Sequence, residues 1–220
     1  VKSTGSVGIG TTATGAKLDV NGNINVAAGS YYKYNSENFA MAQTALANYY
    51  SGNAGNLTGT GTDNSAFGRV ALGLNTGGQY NAAFGDATLY NNLGGSFNAG
   101  FGATALQANT SGSNNTAVGY AALYSLTGSY SNNTAIGYFA GRYYNGTTGA
   151  LTQVTNSTFL GYGASALNGT GDTNETVIGY NAIGLGSNTV VLGNSSVVTT
   201  QLQGNVGSGT VSPSSKLDVT

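Results

Sequence analysis

The sequence predicts an all-β fold, a β-solenoid or β-roll of stacked coils with β-hairpins in its flanking segments. Three observations predict it: an internal repeat of about 17 residues, a glycine at one fixed place in each repeat, and a chain rich in small and apolar residues with only 6% charged. Three parts follow in order, a connector over 1–48, a repeat region over 49–194 and a second connector over 195–220.

In the first connector, Lys17-Leu-Asp-Val20, Asn21-Gly22 and Asn23-Ile-Asn-Val26 read as a hairpin around an Asn-Gly turn. Tyr31 to Tyr34 with Glu37 to Ala40 reads as a second. A short helix over Phe39 to Tyr49 is also expected, because Ala, Met, Gln and Leu cluster there.

The repeat region runs Asn64-Ser-Ala-Phe-Gly68, Asn81-Ala-Ala-Phe-Gly85, Asn98-Ala-Gly-Phe-Gly102, Asn115-Thr-Ala-Val-Gly119 and Asn133-Thr-Ala-Ile-Gly137. Looser copies end at Gly161, Gly179 and Gly193, and a degenerate one, Tyr50 to Gly55, comes first. The Gly spacings are 17, 17, 17, 18, 24, 18 and 14. A unit this short cannot hold two helices. It suits one coil with two short strands and two turns, neighbouring coils stacking about 4.8 Å apart, so about nine coils would make a rod on the order of 40 Å long. The fixed Gly marks a bend that needs φ > 0 or close backbone approach. The fixed Asn can cap that bend and stack on its equivalents as a hydrogen-bonded ladder.

The second connector repeats the first. Val7-Gly-Ile-Gly-Thr11 with Lys17-Leu-Asp-Val20 recurs as Val206-Gly-Ser-Gly-Thr210 with Lys216-Leu-Asp-Val219, at a constant offset of 199. One module therefore ends where another would begin, either in tandem or end to end. The sequence opens on Val1 rather than Met and reads as a mature product or an excised piece.

Composition excludes several classes. Glycine is not every third residue and there is one Pro, so collagen is out. Fifteen Tyr, seven Phe and a net charge of −1 argue against disorder. Six scattered Lys and Arg make no basic stripe, so no nucleic-acid partner is expected, and no apolar run reaches the roughly 20 residues of a membrane helix. A membrane β-barrel is disfavoured, because its strands alternate over about ten residues.

Chemistry is sparse. Without His or Cys, the usual general base, thiolate and metal ligands are missing, and no catalytic residue, metal or cofactor is expected. Lys17 with Asp19 and Lys216 with Asp218 read as a repeated ion pair. Asp172 and Glu175 could act as paired acids, but an acidic turn is the commoner reading. Phe159 to Ala166 imitates a dinucleotide fingerprint yet falls in register with the repeat and lacks a following helix.

Val7-Gly-Ile-Gly-Thr-Thr12 with Lys17-Leu-Asp-Val-Asn-Gly22, the Asn-x-Ala-apolar-Gly copies and Asn188-Thr-Val-Val-Leu-Gly-Asn194 resemble the head and neck modules of phage tail fibres and related bacterial surface fibres. They are similar, more distantly, to the heads of trimeric autotransporter adhesins, from which the repeat length of 17 to 18 departs. The resemblance implies a homotrimer around a threefold axis, displayed extracellularly on a cell or virion.

The functional expectation is therefore a non-enzymatic structural and adhesive fibre module whose partner is a glycan or protein on another cell's surface. The competing reading is a self-assembling filament scaffold that binds no receptor. An ice- or mineral-binding solenoid is weaker, since Thr does not recur strongly at one position. The interval from Gly137 to Gly161 is about six residues too long, so a loop within Arg142 to Val154 should bulge outward. Its Arg142, Tyr143, Tyr144 and Asn145, together with the doublet Tyr49 and Tyr50, are the receptor-contact candidates. Tyr120, Tyr138, Tyr162 and Tyr180 each follow a repeat Gly and are read mainly as stacked packing, with sugar stacking as the alternative.

Overall fold

A computed structural model describes residues 7–9, 18–20, 32–34, 37–43, 46–146, 149–201, 206–209 and 214–219. Strand β1 (Val7–Ile9) pairs in parallel with β2 (Leu18–Val20), and β3 (Tyr32–Tyr34) pairs antiparallel with β4 (Glu37–Gln43). The second expected hairpin is thus present. The Asn21-Gly22 turn and the arm over 23–26 lie outside the described residues, as do Lys17 and the side chain of Asp19. Leu18–Val20 takes its partner from upstream.

The expected helix over Phe39 to Tyr49 is replaced by strand. Residues 40–43 of β4 pair antiparallel with β5 (Asn48–Ser51). Ladder hydrogen bonds at the end of a large sheet override the weak helix preference of Ala, Met and Gln.

From β5 the chain winds as a parallel β-solenoid. Its strands are β6 (Ser65–Phe67), β7 (Ala82–Phe84), β8 (Ala99–Phe101), β9 (Thr116–Val118), β10 (Thr134–Ile136), β11 (Val154–Thr155), β12 (Thr158–Leu160), β13 (Asp172–Thr173), β14 (Thr176–Ile178) and β15 (Val190–Leu192). One sheet runs β15-β14-β12-β10-β9-β8-β7-β6-β5-β4-β3, and β11 pairs in parallel with β13 on another side. Nine parallel strands, β5 to β15 without β11 and β13, enclose about eight turns. Most coils contain one strand, not the expected two. The other wall is a staircase of turns, in which Ala71, Gly73 and Asn75 donate N–H to the carbonyls of Gly68, Val70 and Leu72, while Leu72 and Leu74 donate to Thr88 and Tyr90 of the next coil.

That staircase demands φ > 0 at the third residue of successive turns. Val70 and Leu72, Ala87 and Leu89, Thr104 and Leu106, and Ala121 and Leu123 all adopt it, between +48° and +58°. A left-handed conformation costs a non-Gly residue about 1–2 kcal/mol. Leu72, Leu89, Leu106 and Leu123 are fully buried in register, which returns about 1.5–3 kcal/mol apiece. Burial outweighs the strain.

The central residue of each strand points inward, giving the buried column Ala66, Ala83, Gly100, Ala117, Ala135, Phe159 and Val177. Beside it run Ala71, Thr88, Ala105, Ala122, Ala140, Ala164 and Ala182, all buried. Volume is exchanged between columns. Thr88 fills the place a Gly100 side chain would take, and where the Leu column reaches Gly141, Leu123 and the ring of Phe159 occupy the space.

Two buried polar ladders lock the coils. In one, Asn48, Asn64, Asn81, Asn98, Asn115 and Asn133 pass a hydrogen bond upward, each Oδ1 accepting the backbone N–H of the next at 2.8–3.0 Å. Ser157 and Glu175 continue the column. In the other, the Nδ2 groups of Asn92 and Asn109 donate to the Oδ1 of Asn75 and Asn92 at 2.9 and 2.8 Å. Leu126 follows, so Asn109 Oδ1 is left without a partner. The repeat Gly combines both expected reasons: Gly68, Gly85, Gly102, Gly119, Gly137, Gly161 and Gly179 have φ of +126° to +138°. A Cβ on Gly119 would lie 2.5 Å from the carbonyl oxygen of Gly137. Gly193, in the short last coil, sits at +86°.

Candidate recognition site

The surplus of the 24-residue interval leaves the coil as a small hairpin, with Tyr143 bridged antiparallel to Ala150, before Leu151 and Val154 return to the core. Its four candidate residues part company. The Arg142 guanidinium lies over the rings of Phe139, Tyr124 and Tyr143 at 4.3, 4.8 and 4.9 Å, and its buried Nε has no acceptor. Stacked in this way, Arg142 braces Tyr143 against Phe139, whose rings meet edge to face at 5.4 Å and 72°. Tyr144 turns toward the coil, bridging Ala166 and covering Gly149 and Gly169, at either of which a side chain would strike its ring. Asn145 is exposed at φ +50°, its N–H donating to Ala166 O at 2.7 Å.

Tyr143 instead lines a cleft of about 400 Å³ together with Phe139, Tyr162, Tyr180 and Asn181, over Gly146 and Gly163. Gly163 cannot carry a side chain there, because a Cβ would collide with Asn181 Oδ1. The lining has no carboxylate, ammonium or guanidinium. Aromatic rings beside a solvent-facing amide suit a neutral, ring-containing ligand or a peptide surface.

Tyr120, Tyr138, Tyr162 and Tyr180 form the expected ladder, with centroids 5.2, 5.3 and 5.3 Å apart. Each inner ring spends both faces on its neighbours and shows an edge to solvent. Tyr180 ends the stack, is 65% exposed, and has a ring on one face alone. Stacking within the ladder leaves an outer ring face at its two ends, Tyr120 and Tyr180, and the Tyr180 end lies beside the cleft.

The doublet is divided by strand alternation, which sends adjacent side chains to opposite faces. Tyr49 is exposed and tilts onto Phe67 at 5.4 Å. Tyr50 is only 1% exposed and belongs to the core, and burial pushes its hydroxyl up to about 12. It is therefore not a surface contact.

The acidic pair, Asp172 and Glu175, flanks a bend, with Asn174 at φ +55° between them, but both residues are buried. Asp172 accepts the N–H and Nδ2 of Asn168 at 3.0 and 3.2 Å, and Glu175 Oε1 accepts the Gly186 N–H at 2.9 Å. Glu175 Oε2 has no partner. Burial first, and the neighbouring Asp172 second, hold the Glu175 carboxyl above its usual range, against backbone N–H groups that pull it down. The carboxylate fits the short last coil by packing on Gly184, which has no room for a side chain.

Two surfaces were not foreseen. The outward strand position gives a continuous stripe of Phe67, Phe84, Phe101, Val118, Ile136, Leu160, Ile178 and Leu192, the three Phe stacking at 4.9 and 5.0 Å. At the turn before each strand, where Asn114, Asn132, Asn156, Asn174 and Asn188 sit at positive φ, two coils carry Tyr80 and Phe97 at +55° and +58°. Both are more than half exposed and stack at 5.0 Å. A bulky residue in that conformation is a signal visible only once φ is known.

Comparison of the chain with protein-family models, with curated proteins and with solved structures finds no match in any of the three.

Proposed function

We propose that this chain is a structural and adhesive module of an extracellular trimeric fibre, three solenoids packing laterally and the loop cleft contacting a glycan or protein on another surface. The carrying observation is the outward stripe. Its eight large apolar side chains, three of them stacked Phe, form one continuous outward row, and contiguous exposed apolar patches of several hundred Å² mark interaction surfaces. A self-assembling homotrimer covers such a stripe by presenting the same face three times. Lateral association then multiplies a weak cleft contact into avidity.

The adhesive part rests on the cleft of Tyr143, Tyr162, Tyr180 and Asn181. Binding of the labelled chain to a panel of bacterial cells and to immobilised glycans tests it. Binding that drops about tenfold or more in Y143A and N181A, with melting unchanged, is the expected result. Unaltered binding in both variants would remove the cleft from the account, and no binding to any surface would favour the scaffold reading.

A further inference from the structure

The two ends of the solenoid differ. At the N-terminal end the antiparallel strands β4 and β3 extend the sheet beyond β5, so the edge of the first coil is paired. At the other end β15 is the last strand, and among the described residues none pairs with its outer edge. The core is open there: Val191 holds the inward position that is fully buried at Ala66, Ala83, Ala117, Ala135, Phe159 and Val177, yet is only half-buried.

The surface at this end is apolar beyond what the repeat requires. The first outward strand position is Ser65, Ala82, Ala99, Thr116, Thr134, Thr158 and Thr176 in successive coils, then becomes Val190, which is 68% exposed. Leu185 is 69% exposed, and Val197 and Val198 are exposed as well. A cleft of about 410 Å³ opens among Ile183, Leu185, Val191 and Leu192. Free edges in monomeric proteins are usually blunted by Lys, Pro or a bulge. Here no charged residue occurs from Thr176 to Ser215. The edge is built to be paired.

The connectors say by what. The second connector does not merely repeat the first in sequence. It folds the same way: β16 (Val206–Ser208) pairs in parallel with β17 (Leu217–Val219) in the register Val206↔Leu217 and Gly207↔Asp218, matching Val7↔Leu18 and Gly8↔Asp19. In this chain such a pair is followed by the hairpin of β3 and β4, which is the element that pairs a solenoid's edge strand. We infer that the open C-terminal end is a docking face for the N-terminal hairpin end of another copy of this module, head to tail, so that modules join into a longer rod.

This inference rests on the fibre reading and adds the axial contact to the lateral one. A head-to-tail contact is heterologous and does not close, which gives filaments. Added main-chain pairing across the β15 edge supplies affinity, and the apolar cleft supplies register.

The test is electron microscopy and light scattering of the full chain over rising concentration, comparing wild type, L185K/V190K at the end face and I136K on the lateral stripe. All three positions are exposed, so circular dichroism should show an unchanged fold. Wild type should form particles whose lengths are multiples of one module, and L185K/V190K should need about tenfold or more protein to do so. I136K should thin the particles without shortening them. End joining that is absent from wild type up to its solubility limit, or equal in L185K/V190K, overturns the inference. Thin wild-type particles that still join end to end would instead refute lateral association alone.

Discussion

Removing one rung of the buried Asn ladder gives the sharpest stability prediction. Asn98 is 1% exposed, its Nδ2 donates to Gly112 O at 2.8 Å, and its Oδ1 accepts the Asn115 N–H at 3.0 Å. In N98A the Asn115 N–H stays inside the solenoid and loses its acceptor, while Gly112 O keeps the Asn109 Nδ2 donor at 3.0 Å. Leaving a buried polar group unsatisfied costs about 1–3 kcal/mol, so N98A should lose about 2 kcal/mol. For a chain of this size that lowers the melting temperature by about 4–8 °C. The comparison is N114G, sixteen residues on, at an exposed site with φ +58° that Gly adopts freely. It should stay within about 0.5 kcal/mol of wild type. Thermal and urea unfolding followed by far-ultraviolet circular dichroism measures both. An N98A melting shift no larger than that of N114G would refute the ladder as the device that locks the coils.

Two further predictions follow from the same coordinates. G119V forces a β-branched residue to φ +128° with its Cβ 2.5 Å from Gly137 O, and should lose about 3 kcal/mol or more, while G77A, whose added carbon meets nothing within 4 Å, should not lose stability; equal melting of the two variants would show that the repeat Gly is not required. The Glu175 carboxyl is held above its usual range, so the folded chain binds its proton more tightly than the unfolded chain. Its contribution is full below the ordinary carboxylate range and is lost as pH rises through that range and past the folded value, so wild type should melt higher near pH 4 than at pH 7, and E175Q should flatten this slope and melt higher at neutral pH. Parallel pH profiles for the two proteins would disprove the assignment.

Much of this fold was legible because the coil is a repeat. Period, bend and ladder each leave one residue type in one place, and Gly119 or Asn98 can be read off directly. What was not legible depends on which way a side chain points. The sequence presents Ala117 and Val118 as an apolar pair before Gly119, but one is core and the other is surface stripe, since strand neighbours face opposite ways. Tyr50 was misread for the same reason: Tyr49 is exposed as expected, but its strand neighbour Tyr50 faces the core. Thr88 against Gly100, and Phe159 against Gly141, exchange volume between different columns of different coils, which no single repeat reveals. The loop was placed by counting, and Tyr143 did reach a cleft. Arg142 and Tyr144 could not be assigned from composition, because stacking under three rings and covering two glycines are properties of the fold around them.

Light scattering on the dilute chain tests the central claim of a laterally assembled fibre module most directly. The account predicts a mass three times 21.9 kDa, falling to one chain in I136K, where a charge is placed in the middle of the stripe. A wild-type mass of 21.9 kDa at micromolar concentration would contradict it.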